Sequence, residues 1–200
     1  MMKATTILAH PYSKSFNHAI FAAVHHTLQE LQVVNYAHDL YRERFDPVLT
    51  VEELGKQRST DSLVNQYIDE LMESDLVIFI HPNWWGMPPA ILKGYIDRVI
   101  RPPHAYDFPE NDSGGGLPVG KLLGKVGVVF NTSNTEENRE NDYFTDPLAK
   151  IWQRCVFGFC GIEKSHRRVF RIVADSTLEE RQKWLQCVER DIVDIVKNIK

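Results

Sequence analysis

The stretch SDLVIFIHPNWWGMPPAILKGYIDRVI, from Ser74 to Ile100, decides the fold. Its first part, DLVIFIH, is almost wholly apolar, which is typical of a strand buried on both faces of a parallel sheet. Its last part, PAILKGYIDRVI, has a helical pattern and starts with Pro89 at a first-turn position. Between the two, Trp84 and Trp85 stand side by side in a turn. The stretch therefore predicts a strand, a turn and a helix, which is the repeating unit of an α/β sheet.

Apolar spacing along the rest of the chain repeats this alternation. It predicts further strands at residues 3–10, 32–40, 125–133 and 163–173, and further helices at residues 15–31, 60–74, 146–161 and 176–199. The predicted helix boundaries are Ser13 or Ser15, Thr60 or Asp61, and Ser176 or Thr177 as N-caps, and Gly161 as a stop. The pattern predicts an α/β, flavodoxin-like three-layer sandwich with a five-stranded parallel sheet in the order 2-1-3-4-5. We expect residues 1–200 to form a single domain of this fold.

The composition excludes several classes of protein. A net charge of -4 leaves no basic face for nucleic acid. No segment approaches the roughly 18 apolar residues of a membrane span. The three cysteines, Cys155, Cys160 and Cys187, lack metal-ligand or C-x-x-C spacing, so we expect no metal site, and we expect reduced thiols in a cytoplasmic protein.

Three loops are predicted to meet at one edge of the sheet. In the order 2-1-3-4-5 a ligand binds where the strand order reverses, at the carboxyl ends of strands one, three and four. The first loop, HPYSKSFNHA, lacks the glycines of a P-loop or a dinucleotide fingerprint, but it offers the His10 ring, the Ser13 and Ser15 hydroxyls and free N–H groups at a helix start. The tryptophans form the second loop, and residues 131–134 begin the third.

Each loop also has a simpler interpretation. The serines serve as helix caps, the tryptophans plug the core or form a dimer contact, and the asparagines and serine of the third loop form a turn. The combination of the three loops at one edge is more specific than any one of them. Two long connections, at residues 41–58 and 101–120, have the length of lids or interface segments.

Three segments, ILAHPYSKSFNHAI, DLVIFIHPNWWGMPPAILKGYIDRVI and AYDF, resemble the NAD(P)H dehydrogenase (quinone) family of flavodoxin-like flavoproteins. This family contains quinone reductases and the ancillary oxidoreductases of potassium efflux systems. The resemblance, which extends over essentially the whole chain, implies a bound flavin, NAD(P)H as co-substrate, two-electron (hydride) reduction of quinones or similar small acceptors, and a homodimer with active sites at its interface. It implies these cofactor-binding residues: His10, Ser15, Phe16, Asn17, Pro82, Asn83, Trp84, Trp85, Asn131, Thr132, Ser133 and Asn134.

The third loop departs from the family pattern. Mammalian quinone reductases have Thr-Thr-Gly-Gly there, followed by a tyrosine and a histidine that assist hydride transfer. This chain has NTSNTEENRENDYF, with no histidine and no glycine pair. The resemblance therefore implies FMN or FAD, with FMN favoured by the short chain, but it does not imply that proton relay.

The resemblance also places Tyr106 at the dimer interface, in the substrate pocket over the partner's flavin. The simpler interpretation of Tyr106 and Phe108 is a hydrophobic anchor of the interface. The alternative function is a flavin-binding regulatory subunit of a potassium efflux transporter, in peripheral contact with that membrane protein.

Overall fold

The computed structural model describes residues 1–110 and 116–199. In this part of the chain the strands are β1 (Lys3–Leu8), β2 (Val34–Asp39), β3 (Leu76–Pro82), β4 (Tyr106–Asp107), β5 (Val119–Gly120), β6 (Val126–Ser133) and β7 (Lys164–Arg171). The α-helices of the same residues are α1 (Phe16–Glu30), α2 (Ser62–Glu73), α3 (Ala90–Val99), α4 (Pro147–Lys150) and α5 (Leu178–Ile199).

The main sheet has the strand order β2-β1-β3-β6-β7, and all neighbouring strands in it are parallel. Counted among the strands of this sheet alone, the order is 2-1-3-4-5, so the predicted arrangement is confirmed. The middle strand β3 is buried along its whole length, as its apolar run predicts. The connection predicted at residues 101–120 also holds a small antiparallel pair, β4 with β5. Strands of two residues carry no periodicity, so the sequence pattern did not indicate them.

Two apolar cores lie on the two faces of the sheet. On one face Phe79 of β3 packs against Tyr95 of α3, and the Trp152 ring stacks on Phe79 with the ring centroids 4.6 Å apart. On the other face Ile78 of β3 belongs to a core with Ile20 of α1 and with Val188 and Ile192 of α5. Each fully buried side chain of this kind stabilises the fold by about 1.5–3 kcal/mol. Helices on both faces give the predicted three layers.

Local side-chain chemistry fixes the helix ends among the predicted candidates. The Ser15 side chain caps α1 and accepts from the backbone N–H of His18, and Asp61 caps α2. Thr177 and Glu180 form a reciprocal capping box at the start of α5, in which each side chain accepts from the other's backbone N–H. Gly161 ends the helical segment of residues 147–160 at φ +86°, a left-handed conformation that glycine adopts at least cost.

The helix predicted at residues 146–161 is not a regular α-helix. After α4 the chain continues as a π-helix over Ile151–Phe157 and a 3₁₀ turn over Gly158–Cys160. The wider turns place Trp152, Val156 and Phe157 in the same core. No helix in residues 1–110 or 116–199 is long and apolar enough to cross a membrane.

Candidate functional site

A cleft of about 590 Å³ opens at the carboxyl ends of β1, β3 and β6, where the strand order reverses. The predicted site residues that line it are His10, Ser15, Phe16, Asn17, Pro82, Asn83, Trp84, Thr132, Ser133 and Asn134. The sequence did not indicate its other lining residues, which are Tyr12, Lys14, Thr135, Arg139, Val173, Ala174 and Arg181. The three predicted loops therefore meet in one cleft.

The β1–α1 loop forms an anion cradle at the inner end of the cleft. Ser15 is the N-cap of α1 and accepts the His18 N–H, which leaves the N–H groups of Phe16 and Asn17 without an acceptor within the helix. Asn17 is buried, and its Nδ2 donates to Thr132 Oγ1 at 2.9 Å, which ties the cradle to the end of β6. The Asn17 Oδ1 atom is buried and has no hydrogen-bond partner among the described residues. A cradle with free donors and one spare acceptor fits a ligand that carries a phosphate and hydroxyl groups.

The electrostatics of the cleft favour an anion. Among the described residues that line it, Lys14, Arg139 and Arg181 carry positive charge, and none is acidic. Arg181 is held in place because its guanidinium donates to two backbone carbonyls and to the Ser176 hydroxyl. Burial lowers the pKa of His10, and the nearby His18 ring lowers it further, so His10 is neutral at pH 7. Its Nδ1 accepts from the Tyr12 N–H, which leaves Nε2–H as a donor.

Asn83 connects the β3 loop to the β6 loop. Its N–H donates to the Thr132 carbonyl at 2.7 Å, and its Oδ1 accepts from the Gly86 N–H at 3.0 Å. Residues 84–87 form a tight turn, which is closed by backbone hydrogen bonds between Trp84 and Met87. Trp85 and Gly86, at the centre of this turn, both have positive φ, at 58° and 70°.

The two tryptophans differ in the surfaces that they line. The Trp84 side chain lines the cleft, with its ring centroid 6.0 Å from that of His10. Trp85 is 96% exposed and lines only an adjacent apolar groove, which Trp84 also lines. The structure thus brings one of the two predicted tryptophans to the cleft, because consecutive residues in a tight turn point in different directions.

Asn131 lies under the cleft without lining it. It is fully buried, and its Oδ1 accepts from Arg167 Nε at 2.9 Å, while Arg167 also pairs with Asp146 at 2.6 Å. The neighbouring His81 is buried at the end of β3, and burial lowers its pKa to about 4. The neutral His81 ring donates from Nδ1 to the Pro82 carbonyl and accepts the Trp152 indole N–H at Nε2. These residues support the floor of the site.

Tyr106 lies away from the cleft of its own chain. It lines a second cavity, of about 360 Å³, and its ring meets that of Phe159 edge to face with centroids 4.7 Å apart. Burial raises the pKa of the Tyr106 hydroxyl, so this group stays protonated at neutral pH. This cavity shares Ile96, Cys155 and Val156 with the groove beside Trp85. We call the surface formed by Trp85, Met87, Tyr106, Phe108 and Phe159 the aromatic face.

The described residues give no indication of metal chemistry. No group of three or more His, Cys, Asp or Glu side chains in residues 1–110 and 116–199 could hold a metal ion. Cys155, Cys160 and Cys187 are free. Burial raises the pKa of the Cys160 thiol to about 12, so this cysteine is protonated at neutral pH.

An open parallel sheet with an anion cradle and an aromatic wall at its switch point defines a flavodoxin-like α/β protein. The model of a family described as having a flavodoxin-like fold matches residues 2–190. A relative from Haemophilus influenzae, named as an uncharacterized NAD(P)H oxidoreductase, is 33% identical, with 84% of this chain and 83% of the relative covered. The human ribosyldihydronicotinamide dehydrogenase (quinone) is 30% identical, with 80% of this chain and 78% of the human protein covered. The chain belongs to the flavodoxin-like family of NAD(P)H oxidoreductases and quinone dehydrogenases.

The fold is also similar to that of solved structures. The crystal structure of a Streptococcus mutans protein superposes with a TM-score of 0.83 at 31% identity, covering 96% of this chain and 98% of the other. An NAD(P)H:quinone oxidoreductase from Methanothermobacter marburgensis has the same fold, with a TM-score of 0.81 at 23% identity. The match covers 97% of this chain and 96% of the other.

Proposed function

We propose that this protein is a flavin-dependent oxidoreductase that passes two electrons from NAD(P)H to a quinone or a similar small acceptor. The observation that carries the proposal is the single cleft in which the cradle at Ser15, the ring of Trp84 and the β6 loop meet. Membership of the oxidoreductase family supports the same conclusion. The bound flavin, FMN or FAD, supplies the hydride chemistry.

The residues of the cleft have distinct parts in this function. The N-cap Ser15 and the first-turn N–H groups of α1 hold the flavin phosphate, with charge from Lys14 and Arg181. The unpartnered Asn17 Oδ1 accepts from a hydroxyl of the flavin side chain. Trp84 supplies a flat apolar wall for the ring system and limits access of water to it.

The β6 loop supplies polar partners for the polar edge of the ring. Thr132, Ser133 and Asn134 line the cleft together with the tryptophan. The Thr135 N–H donates to Ser133 Oγ at 3.1 Å, and the Ala174 N–H donates to Asn134 Oδ1 at 2.9 Å, so both side chains are held in place. Such fixed dipoles orient a ligand without reorganisation when it binds.

We also propose that two copies of the chain form the working unit, with each aromatic face covering the other copy's cleft. Trp85 is 96%, Met87 54% and Phe108 43% exposed, and contiguous exposed apolar side chains of this kind mark interaction sites. In this arrangement Tyr106 lies over the partner's flavin and contacts the acceptor. The aromatic face would otherwise leave a large apolar surface in water.

The enzymatic role is favoured over the regulatory alternative, since the two relatives described above carry the names of redox enzymes. The three free thiols agree with the proposed cytoplasmic location. Two cores on the faces of one sheet support the proposal that residues 1–200 act as a single domain.

The absorbance spectrum of the purified full-length protein tests the proposal. We expect the visible bands of an oxidised flavin at about one flavin per chain, bleaching when NADH or NADPH is added without oxygen, and return of the bands when a quinone follows. A colourless protein that takes up neither added FMN nor added FAD would contradict the proposed function.

A further inference from the structure

His18 joins the cradle to a carboxylate outside it. Its Nδ1 lies 2.9 Å from Ser15 Oγ, and its Nε2 lies 3.1 Å from Asp39 Oδ2. The backbone N–H of His18 also donates to Ser15 Oγ. Both side chains of the His18–Asp39 pair are mostly buried, with 19% and 15% exposed. His18 does not line the cleft, whereas Ser15 does.

Backbone N–H groups hold the Asp39 carboxylate in place. Asp39 ends β2, and its Oδ1 accepts from the N–H groups of Tyr41 and Arg42 at 3.1 and 3.2 Å. This leaves Oδ2 directed at the His18 ring. The His10 ring lies edge-on to the His18 ring, with centroids 6.4 Å apart. The ionisable groups near His18 on the packed elements are His10 on the β1–α1 loop, and Asp39 and Glu43 at and after the end of β2.

The charge of His18 determines where the Ser15 hydroxyl hydrogen points. When His18 is neutral with its hydrogen on Nε2, facing Asp39, its Nδ1 is an acceptor and takes the Ser15 O–H. When His18 binds a second proton, Nδ1–H donates to Ser15 Oγ. The Ser15 hydroxyl hydrogen is then released from the ring and can donate into the cleft. Protonation thus adds a hydrogen-bond donor and a positive charge next to the cradle.

We propose that His18 is a positioning residue that couples binding of the flavin phosphate to the uptake of one proton, through the relay Asp39–His18–Ser15. The inference rests on the proposed flavin function and concerns the same cradle. Asp39 stabilises the imidazolium, and the phosphate gains the freed Ser15 O–H together with the added charge. A flavin without a phosphate gains neither.

The direction of the pH dependence follows from the coupling between proton binding and phosphate binding. Ligand that binds the protonated form better is bound more tightly as the pH falls, by at most about tenfold per pH unit for one proton. We therefore expect the affinity for FMN to fall as the pH rises above 7, by no more than that bound, and the affinity for riboflavin to stay constant within about twofold.

The test measures proton uptake rather than activity. The full-length chain, freed of flavin by dialysis, is titrated with FMN, FAD and riboflavin by calorimetry in buffers of different ionisation enthalpy, at pH values from 7 upward. In this range the FMN phosphate is almost wholly dianionic, because a phosphate monoester takes up its second proton near pH 6. We expect net proton uptake with FMN and FAD, and none with riboflavin.

Two variants break the relay in different ways. His18→Gln removes the titrating ring and should abolish the proton uptake and flatten the pH profile of FMN affinity. Asp39→Asn keeps an oxygen for the Tyr41 and Arg42 N–H groups while removing the charge that stabilises the imidazolium. Its amide donates to His18 Nε2, so a neutral ring donates from Nδ1 to Ser15, and FMN binds without proton uptake. His26→Gln is the matched control, since His26 lies on the same helix, 67% exposed, and pairs with Glu30.

The outcomes separate this inference from the proposed function. Uptake with FMN that is lost in His18→Gln and Asp39→Asn but kept in His26→Gln supports the relay. FMN binding with equal proton uptake in wild type and in His18→Gln overturns the relay and leaves the flavin function intact. Failure of FMN, FAD and riboflavin to bind overturns both. Circular dichroism and thermal melting verify that each variant is folded.

Discussion

The cleft and the aromatic face differ in how their side chains are held. In the cleft, polar groups find partners within the chain: Asn17 binds Thr132, and Asn83 binds both the β6 loop and its own turn. On the aromatic face, Trp85 and Met87 project into solvent. The cleft is therefore pre-organised in one chain, whereas the aromatic face is complete only when a second surface covers it. We expect cofactor retention and acceptor reduction to respond to different mutations.

The largest expected effect concerns the stability of the cavity wall next to Tyr106, which Glu53 helps to form. Glu53 and Arg98, both buried, form a two-contact ion pair that fastens the segment of residues 46–58 to α3. Burial alone would raise the pKa of Glu53, but hydrogen bonds from Arg98, Ser59 and the Thr50 N–H lower it to about 2. Glu53→Gln leaves a buried guanidinium without its main partner and should lower the free energy of unfolding by about 3 kcal/mol.

The pH dependence of this effect has a definite sign. A carboxyl with a lowered pKa in the folded state stabilises the protein above its unfolded pKa, and that contribution is lost as the pH falls towards the folded value. The difference in the free energy of unfolding between wild type and Glu53→Gln should therefore become smaller as the pH falls from 5 to about 2. Urea unfolding at several pH values measures it, with the exposed Glu52→Gln as the control. A gap that stays constant down to pH 3 would contradict the assigned ion pair.

The second expected effect concerns the cleft. Ser15→Asp places a negative charge against the flavin phosphate and should weaken flavin binding about 100-fold, because like charges meet at a partly buried site. Fluorescence titration of the flavin-free protein measures the change. The control is Ser13→Asp, since Ser13 is exposed and does not line the cleft. Wild-type flavin occupancy in Ser15→Asp would mean that the phosphate lies elsewhere.

The third expected effect concerns the aromatic face. Trp85→Glu puts a charge in the centre of the proposed interface and should weaken dimerisation about 30-fold, the ~2 kcal/mol of a central aromatic contact. The variant should retain flavin, because Trp85 does not line the cleft. Analytical ultracentrifugation across a concentration series measures the change. Leu178→Glu is the control, since Leu178 is 73% exposed at the start of α5. Unchanged association in Trp85→Glu would place the interface on another surface.

The smallest expected effect joins the two regions. Tyr106→Ala should keep the fold and the flavin while it raises the KM for the quinone or slows reoxidation of the reduced flavin about fivefold, as expected for one lost aromatic contact of ~1 kcal/mol. Stopped-flow reoxidation measures the rate, and sedimentation verifies that the dimer is intact.

Mixing two variants decides which chain supplies Tyr106. In a heterodimer of Tyr106→Ala and Ser15→Asp subunits, the flavin belongs to the Tyr106→Ala chain and the intact Tyr106 comes from the other chain. Activity per flavin should then recover towards that of the wild type. If heterodimers form and activity per flavin does not change, Tyr106 acts in its own subunit or outside the pocket.

Much of the fold could be predicted from the sequence because β3 is almost wholly apolar and the helices carry clear caps. The cradle could also be located, because Ser15 lies at a strand-to-helix junction at the switch point. The cleft residues Val173 and Arg181 could not, since they come from the chain after β7, which has no motif of its own. His18 looked like an ordinary helix residue, and its relay depends on Asp39, which is distant in sequence.

The different positions of the tryptophans show a second limit of prediction from the sequence. Adjacent tryptophans predict a shared aromatic surface, and both do line the apolar groove. In the turn with positive φ at Trp85 and Gly86, however, only Trp84 also lines the cleft. The combination of Trp85 with a following glycine was the available signal, since such a pair suits the centre of a tight turn with two positive φ values.

The burial of the tryptophans also makes the protein an optical reporter of its own state. Trp152 is sealed against Phe79 in the core, whereas Trp85 is almost fully in water and Trp84 stands beside the cleft. Emission from Trp85 should be red and open to a dissolved quencher, and it should turn blue when a second chain covers it. Emission from Trp84 should fade by energy transfer when a flavin enters, and Trp152 should stay inaccessible to the quencher until the chain unfolds.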